Sequence, residues 1–128
     1  MKNAERVIDW LKRAKSNLAR ARIGAISDEI LYEDLCFDAQ QAVEKALKAL
    51  CISKGIIFPK THDIVYLFEL LEQDFVIPEE IRKAALLNEY AVEKRYPGDY
   101  GIIQKEDYLL SLELAEKVII WIENKLEE

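Results

Sequence analysis

The chain has one histidine, His62, and two cysteines, Cys36 and Cys51, among its 128 residues. With a single histidine and the cysteines apart, no zinc site of the usual ligand spacing can be assembled, and neither a metal nor a cofactor is expected. Both cysteines fall in one predicted helix, 15 residues apart, which separates them by about 22 Å at ~1.5 Å of rise per residue. They cannot form a disulfide with each other. They read instead as small buried hydrophobes in a reducing compartment. Ser16, Ser27, Ser53 and Ser111 stand in no context that suggests a triad with His62. There is no strand alternation, internal repeat or low-complexity stretch, and hence no glycine-rich phosphate loop following a strand. No apolar run is long enough to span a bilayer, and the N-terminus carries charges where a signal peptide would be apolar. A cytoplasmic protein with no membrane partner is expected.

The length suits one domain over residues 1–128, with one core. The net charge of −6 is uneven: residues 1–25 carry Lys2, Arg6, Lys12, Arg13, Lys15, Arg20 and Arg22 against Glu5 and Asp9. An acidic whole argues against non-specific nucleic-acid binding, which rests on neutralised phosphates. The basic first helix is at most a local patch, suited to an acidic partner or a short nucleic-acid contact, or simply a solvated face.

The stretch Leu35–Ile52 organises the rest. It has five alanines and no Gly or Pro, so it reads as a strong helix. Leu35, Ala39, Ala42, Ala46 and Ala49 share a face that Cys36, Val43, Leu47 and Leu50 widen beyond half the circumference. A helix so broadly apolar needs cover from several sides and belongs at the centre. Its polar residues, Gln41, Glu44, Lys45 and Lys48, share one ridge. That ridge is either the solvent edge of a core helix or one wall of a functional cleft.

Four more helices are predicted around it. The first spans about Ala4 to Ala25 on Val7, Leu11, Ala14, Leu18 and Ala21, with Gly24 as its stop and Ser27 or Asp28 as a cap for the next helix. The central helix opens near Ile30 and ends at Lys54-Gly55. A third, His62 to Gln73, takes Thr61 as its cap and buries Ile64, Leu67, Phe68 and Leu71. A fourth starts at Pro78, turns Ile81, Ala84, Ala85 and Val92 inward, and breaks near Arg95 or Tyr96 before Pro97. The last runs from Glu106 to Leu126 on Tyr108, Leu112, Ala115, Ile119 and Ile122, widened by Leu109, Leu110, Leu114 and Trp121. The fold class is all-α: an antiparallel, up-and-down bundle of about five helices. The broad apolar faces of the second and fifth helices also predict a homodimer.

After the fourth helix, Arg95, Tyr96, Asp99 and Tyr100 cluster around Pro97-Gly98. Arginine suits a two-point grip on phosphate, and the tyrosines offer rings and hydroxyls to a nucleotide. The same residues would equally serve as a helix cap with tyrosines packing the end of the bundle.

Phe37-x-x-Gln40-Gln41-Ala42-x-Glu44-Lys45-x-Leu47-Lys48-Ala49, then Thr61-His62-Asp63-Ile64, then Arg95-Tyr96-Pro97 resembles the HEPN domain, over nearly the whole chain. The resemblance implies a small helical bundle that dimerises, often paired with a minimal nucleotidyltransferase in a toxin–antitoxin module, and in many members a metal-independent ribonuclease. The histidine that follows the arginine in catalytic members would fall here at Tyr100, Gly101 or Ile102, and none is histidine. Tyrosine, with a pKa of about 10, is a poor base at neutral pH. The expectation is therefore a protein that binds a nucleotide or RNA phosphate through Arg95, Tyr96 and Tyr100, aided by Lys45, Lys48, Glu44 and Gln41. In it, Glu44 orients a cation and need not act as a base. The alternative is an active ribonuclease toxin in which Tyr100 takes the histidine's place.

Overall fold

A computed structural model describes residues 2–24, 26–91 and 101–128. Among them there are helices and no strands. α1 (Lys2–Ile23) leads into α2 (Tyr32–Ser53), α3 (Ile64–Leu71), a short α4 (Glu79–Arg82) that continues as a 3-10 helix (Lys83–Tyr90), and α5 (Lys105–Leu126). α2 packs against α1, α3, the 3-10 helix and α5. Leu35, Cys36, Ala39, Ala42, Val43, Ala46, Leu47, Ala49 and Leu50 of α2 are all buried. Alanines on that face put only a methyl group between neighbouring backbones. The helix expected at the centre is at the centre.

Local chemistry sets the helix ends. Gly24 follows α1 at φ +73°, and Gly55 follows α2 at φ +70°, the left-handed conformation that ends helices and that glycine adopts without strain. Ser27 does not cap α2: its Oγ accepts from the N–H of Glu29 in the connecting turn. The N-cap position of α2 is instead Leu31, which makes no side-chain cap. α3 starts two residues later than expected, and its cap is Asp63, whose carboxylate accepts from the N–H groups of Val65 and Tyr66. Thr61 accepts only from the N–H of Asp63.

The fourth helix departs furthest from its expected form. Ile81, Ala84, Leu87 and Tyr90 are buried, a strict three-residue period that matches a 3-10 helix of about three residues per turn. The helix ends at Tyr90, with Ala91 extended, short of the predicted break near Arg95 or Tyr96. Ala85 is only half-buried, and Val92, Arg95, Tyr96 and Tyr100 lie outside the described residues.

The broad apolar faces resolve differently. That of α2 is covered within the chain, whereas α5 leaves Leu109, Leu110 and Ile120 about half exposed. Part of the basic excess of α1 is neutralised by carboxylates of other helices, Lys15 with Glu123, Arg20 with Asp38 and Arg22 with Glu116, while Arg13 pairs with Asp9 inside α1. Both cysteines are free and buried, and burial pushes the Cys51 thiol up to about 12. Among the described residues no helix is long and apolar enough to cross a membrane.

The Tyr108 hydroxyl donates to the Ala21 carbonyl at 2.6 Å, and a Cβ on Gly24 would meet that same hydroxyl at 3.1 Å. A Cβ on Gly55 would meet nothing within 4 Å. Both Gly24→Ala and Gly55→Ala should destabilise by about 1–2 kcal/mol for the backbone alone. Gly24→Ala should cost measurably more in urea denaturation; equal losses would mean that the Tyr108 clasp is not felt.

Candidate functional site

The polar ridge of α2 is not a solvent edge. Glu44 and Lys48 are buried although charged, and Gln40 one turn before them is fully buried. A buried carboxylate needs donors on every side to replace water. Lys48 Nζ donates to Glu44 Oε1 at 2.8 Å. Gln40 Nε2 and Gln41 Nε2 reach Glu44 Oε2 at 3.3 and 3.1 Å. His62 Nδ1 lies 3.0 and 3.1 Å from the two carboxylate oxygens. A carboxylate only accepts, so Nδ1 carries the proton and the ring's second nitrogen is turned away from Glu44.

Distant parts of the chain close over this network. Gln40 Nε2 also donates to the His62 carbonyl at 3.2 Å, tying the segment before α3 to the middle of α2. Trp10 of α1 and Phe58 meet edge to face at 6.4 Å. The Lys48 ammonium sits 5.4 and 5.7 Å from their ring centroids, so aromatic faces supply part of the negative potential that water would have given. Asn88 then fixes the 3-10 helix to the same corner. Its side chain accepts from the Ile64 N–H at 2.7 Å and donates to Asp63 Oδ1 at 2.8 Å.

The corner opens as a cleft of about 540 Å³ lined by Lys48, Lys60, Thr61, His62, Asp63 and Ala91. Cations, a hydroxyl and an imidazole on its wall suit an oxyanion. Among the described residues no cluster of His, Cys, Asp or Glu could hold a metal ion.

Of the residues singled out in the sequence, Gln41, Glu44 and Lys48 come together here. Lys45 does not join them: its Nζ donates to Asn17 Oδ1 at 2.8 Å. Asn17 donates on to Asp38, which also holds Arg20. Burial lowers the Lys45 pKa, with the Glu44 charge opposing. Arg95, Tyr96 and Tyr100 lie outside the described residues. Sequence reasoning quoted Gln40 in the motif but left it, with Trp10, Phe58 and Lys60, out of the site, and assigned His62 to its own helix when its Nδ1 faces α2. Gln40 was legible as the polar residue beside the ridge; Trp10 and Phe58 carried no signal beyond being apolar.

Removing the Glu44 carboxylate would leave the Lys48 ammonium buried without a counter-charge. Glu44→Ala should cost about 3–5 kcal/mol in urea denaturation. Glu44→Ala combined with Lys48→Met should cost clearly less than the sum of the two single changes. Strict additivity would show that the two groups are not coupled.

A model of the HEPN domain matches residues 7–125. The chain is 32% identical over 135 residues to the Methanocaldococcus jannaschii protein named "Putative toxin MJ1304", covering 93% of this chain and 87% of that one. The crystal structure of TT1696 from Thermus thermophilus superposes with a TM-score of 0.78 at 34% identity, over 94% of this chain and 98% of the other. That of ST0689, an archaeal HEPN homologue, superposes at 0.74 with 28% identity, over 94% and 97%. The family model spans most of the chain and the superpositions agree with it: the chain belongs to the HEPN family.

Proposed function

We propose that the protein binds a phosphate of a nucleotide or RNA in the His62 cleft, with Arg95 as a second cation. The reading is supported above all by the Glu44-centred network, which holds His62 and Lys48 at the cleft wall at the expense of burying two charges. A bundle that needed only stability would do as well with apolar residues there. Ala91 lines the same cleft, and Arg95 follows it four residues later, a tether of about 14 Å at full extension. Tyr96 and Tyr100 would add ring and hydroxyl contacts. In this reading Lys45 acts only through charge, from its own network between α1 and α2.

The family and the toxin name of the jannaschii relative support a place in a toxin–antitoxin module beside a nucleotidyltransferase, as a homodimer. The exposed Leu109, Leu110 and Ile120 of α5 give that dimer an apolar contact surface. The toxin name also favours a second reading, metal-independent RNA cleavage with Arg95 and Tyr100. Degradation of RNA in the presence of a chelator, abolished by Arg95→Ala, would replace simple binding with that activity.

Calorimetric titration with a mononucleotide and a short RNA should show binding that weakens with salt. Arg95→Ala should lose about 2–3 kcal/mol of affinity with its fold intact. Equal affinity for both proteins would reduce Arg95 to a structural role. Sedimentation at micromolar concentration should give a dimer, and a monomer would remove any composite site.

A further inference from the structure

We propose that binding of a phosphate-bearing ligand in the His62 cleft is coupled to uptake of a proton by the His62 ring. The inference rests on the phosphate reading above and adds its regulation: the cleft takes up its ligand more tightly as pH falls toward 6.

The chain has one histidine, the side chain whose ordinary titration lies closest to physiological pH. It sits on the cleft wall with its side chain 43% exposed, while its partner Glu44 is 3% exposed. Glu44 holds Nδ1–H from both carboxylate oxygens, so an added proton goes to the other ring nitrogen and makes the imidazole a cation. Among the described residues, the charged groups that touch the ring or line the cleft with it are Glu44 and Lys48 from α2, and Lys60 and Asp63 from its own segment. The 3-10 helix contributes the neutral Asn88, which occupies the Asp63 carboxylate. Glu44 is the ring's direct neighbour and favours the imidazolium. Lys48 opposes it, but its ammonium is engaged by Glu44 Oε1 and faced by two aromatic rings. A phosphate entering the cleft supplies a second anion and tips the balance toward the charged ring. Because linkage is reciprocal, the affinity must then depend on pH. A purely structural His62–Glu44 bond would leave affinity unchanged.

The test uses a 2′-O-methyl oligouridine without terminal phosphates, whose diester charges stay constant across the range. Wild-type protein should bind it about tenfold more tightly at about pH 6 than at about pH 8, the size of one charge-assisted contact. His62→Gln should bind at both pH values with the weaker affinity. In the wild type, NMR follows a single imidazole, and saturating oligonucleotide should raise its titration midpoint by about one pH unit. Equal wild-type affinity at both pH values, a pH dependence that survives His62→Gln, or an unmoved midpoint overturns the coupling and leaves the phosphate reading standing. Should His62→Gln fail to fold, the midpoint decides alone. Absence of binding at either pH overturns the phosphate reading and the coupling together.

Discussion

A carboxylate buried in the middle of the central helix is the constraint around which this corner of the bundle is built. Glu44 cannot keep its charge there without donors, and it receives them from Gln40 and Gln41 before it, Lys48 one turn after it and a histidine 18 residues away. Satisfying it fixes the path of the segment before α3, because Gln40 bonds to both Glu44 and the His62 carbonyl. It also fixes Lys48, which then needs the Trp10 and Phe58 rings over its ammonium. Among the described residues no buried side-chain nitrogen or oxygen lacks a hydrogen-bond partner. Half-satisfied polar networks are costly, and this one is complete.

The consequence is a division of labour along α2. Its alanine-rich face settles packing against α1, α3, the 3-10 helix and α5, and the ridge between those contacts carries charge. Two separate networks use that ridge. One joins Gln40, Gln41, Glu44, Lys48 and His62 beneath the cleft. The other joins Lys45, Asn17, Asp38 and Arg20 between α1 and α2. The second reads as a polar clamp between two helices. The first opens to the cleft beside His62, which is why the phosphate is placed there.

Much of this was legible in the sequence, and the gaps have physical causes. The central helix could be placed because alanine spacing is a local property. The ridge of Gln41, Glu44, Lys45 and Lys48 was legible too, but whether it met solvent depended on Trp10 and Phe58, which arrive from elsewhere in the chain. Thr61 and Asp63 are both good caps; Asn88, 25 residues beyond Asp63, helps fix Asp63 in the role. The period of three in Ile81, Ala84, Leu87 and Tyr90 was present in the sequence, yet over so short a span it resembles an α-helical face. Nothing local to His62 pointed to Glu44.

The central claim is that the Glu44 network builds a wall for a phosphate. A crystal structure of the protein with bound 2′-O-methyl oligouridine tests it most directly. The predicted result is a phosphate in the cleft within hydrogen-bond reach of the His62 ring, with the His62–Glu44 and Lys48–Glu44 contacts retained. An oligonucleotide seated elsewhere on the bundle, with this cleft empty, would contradict it.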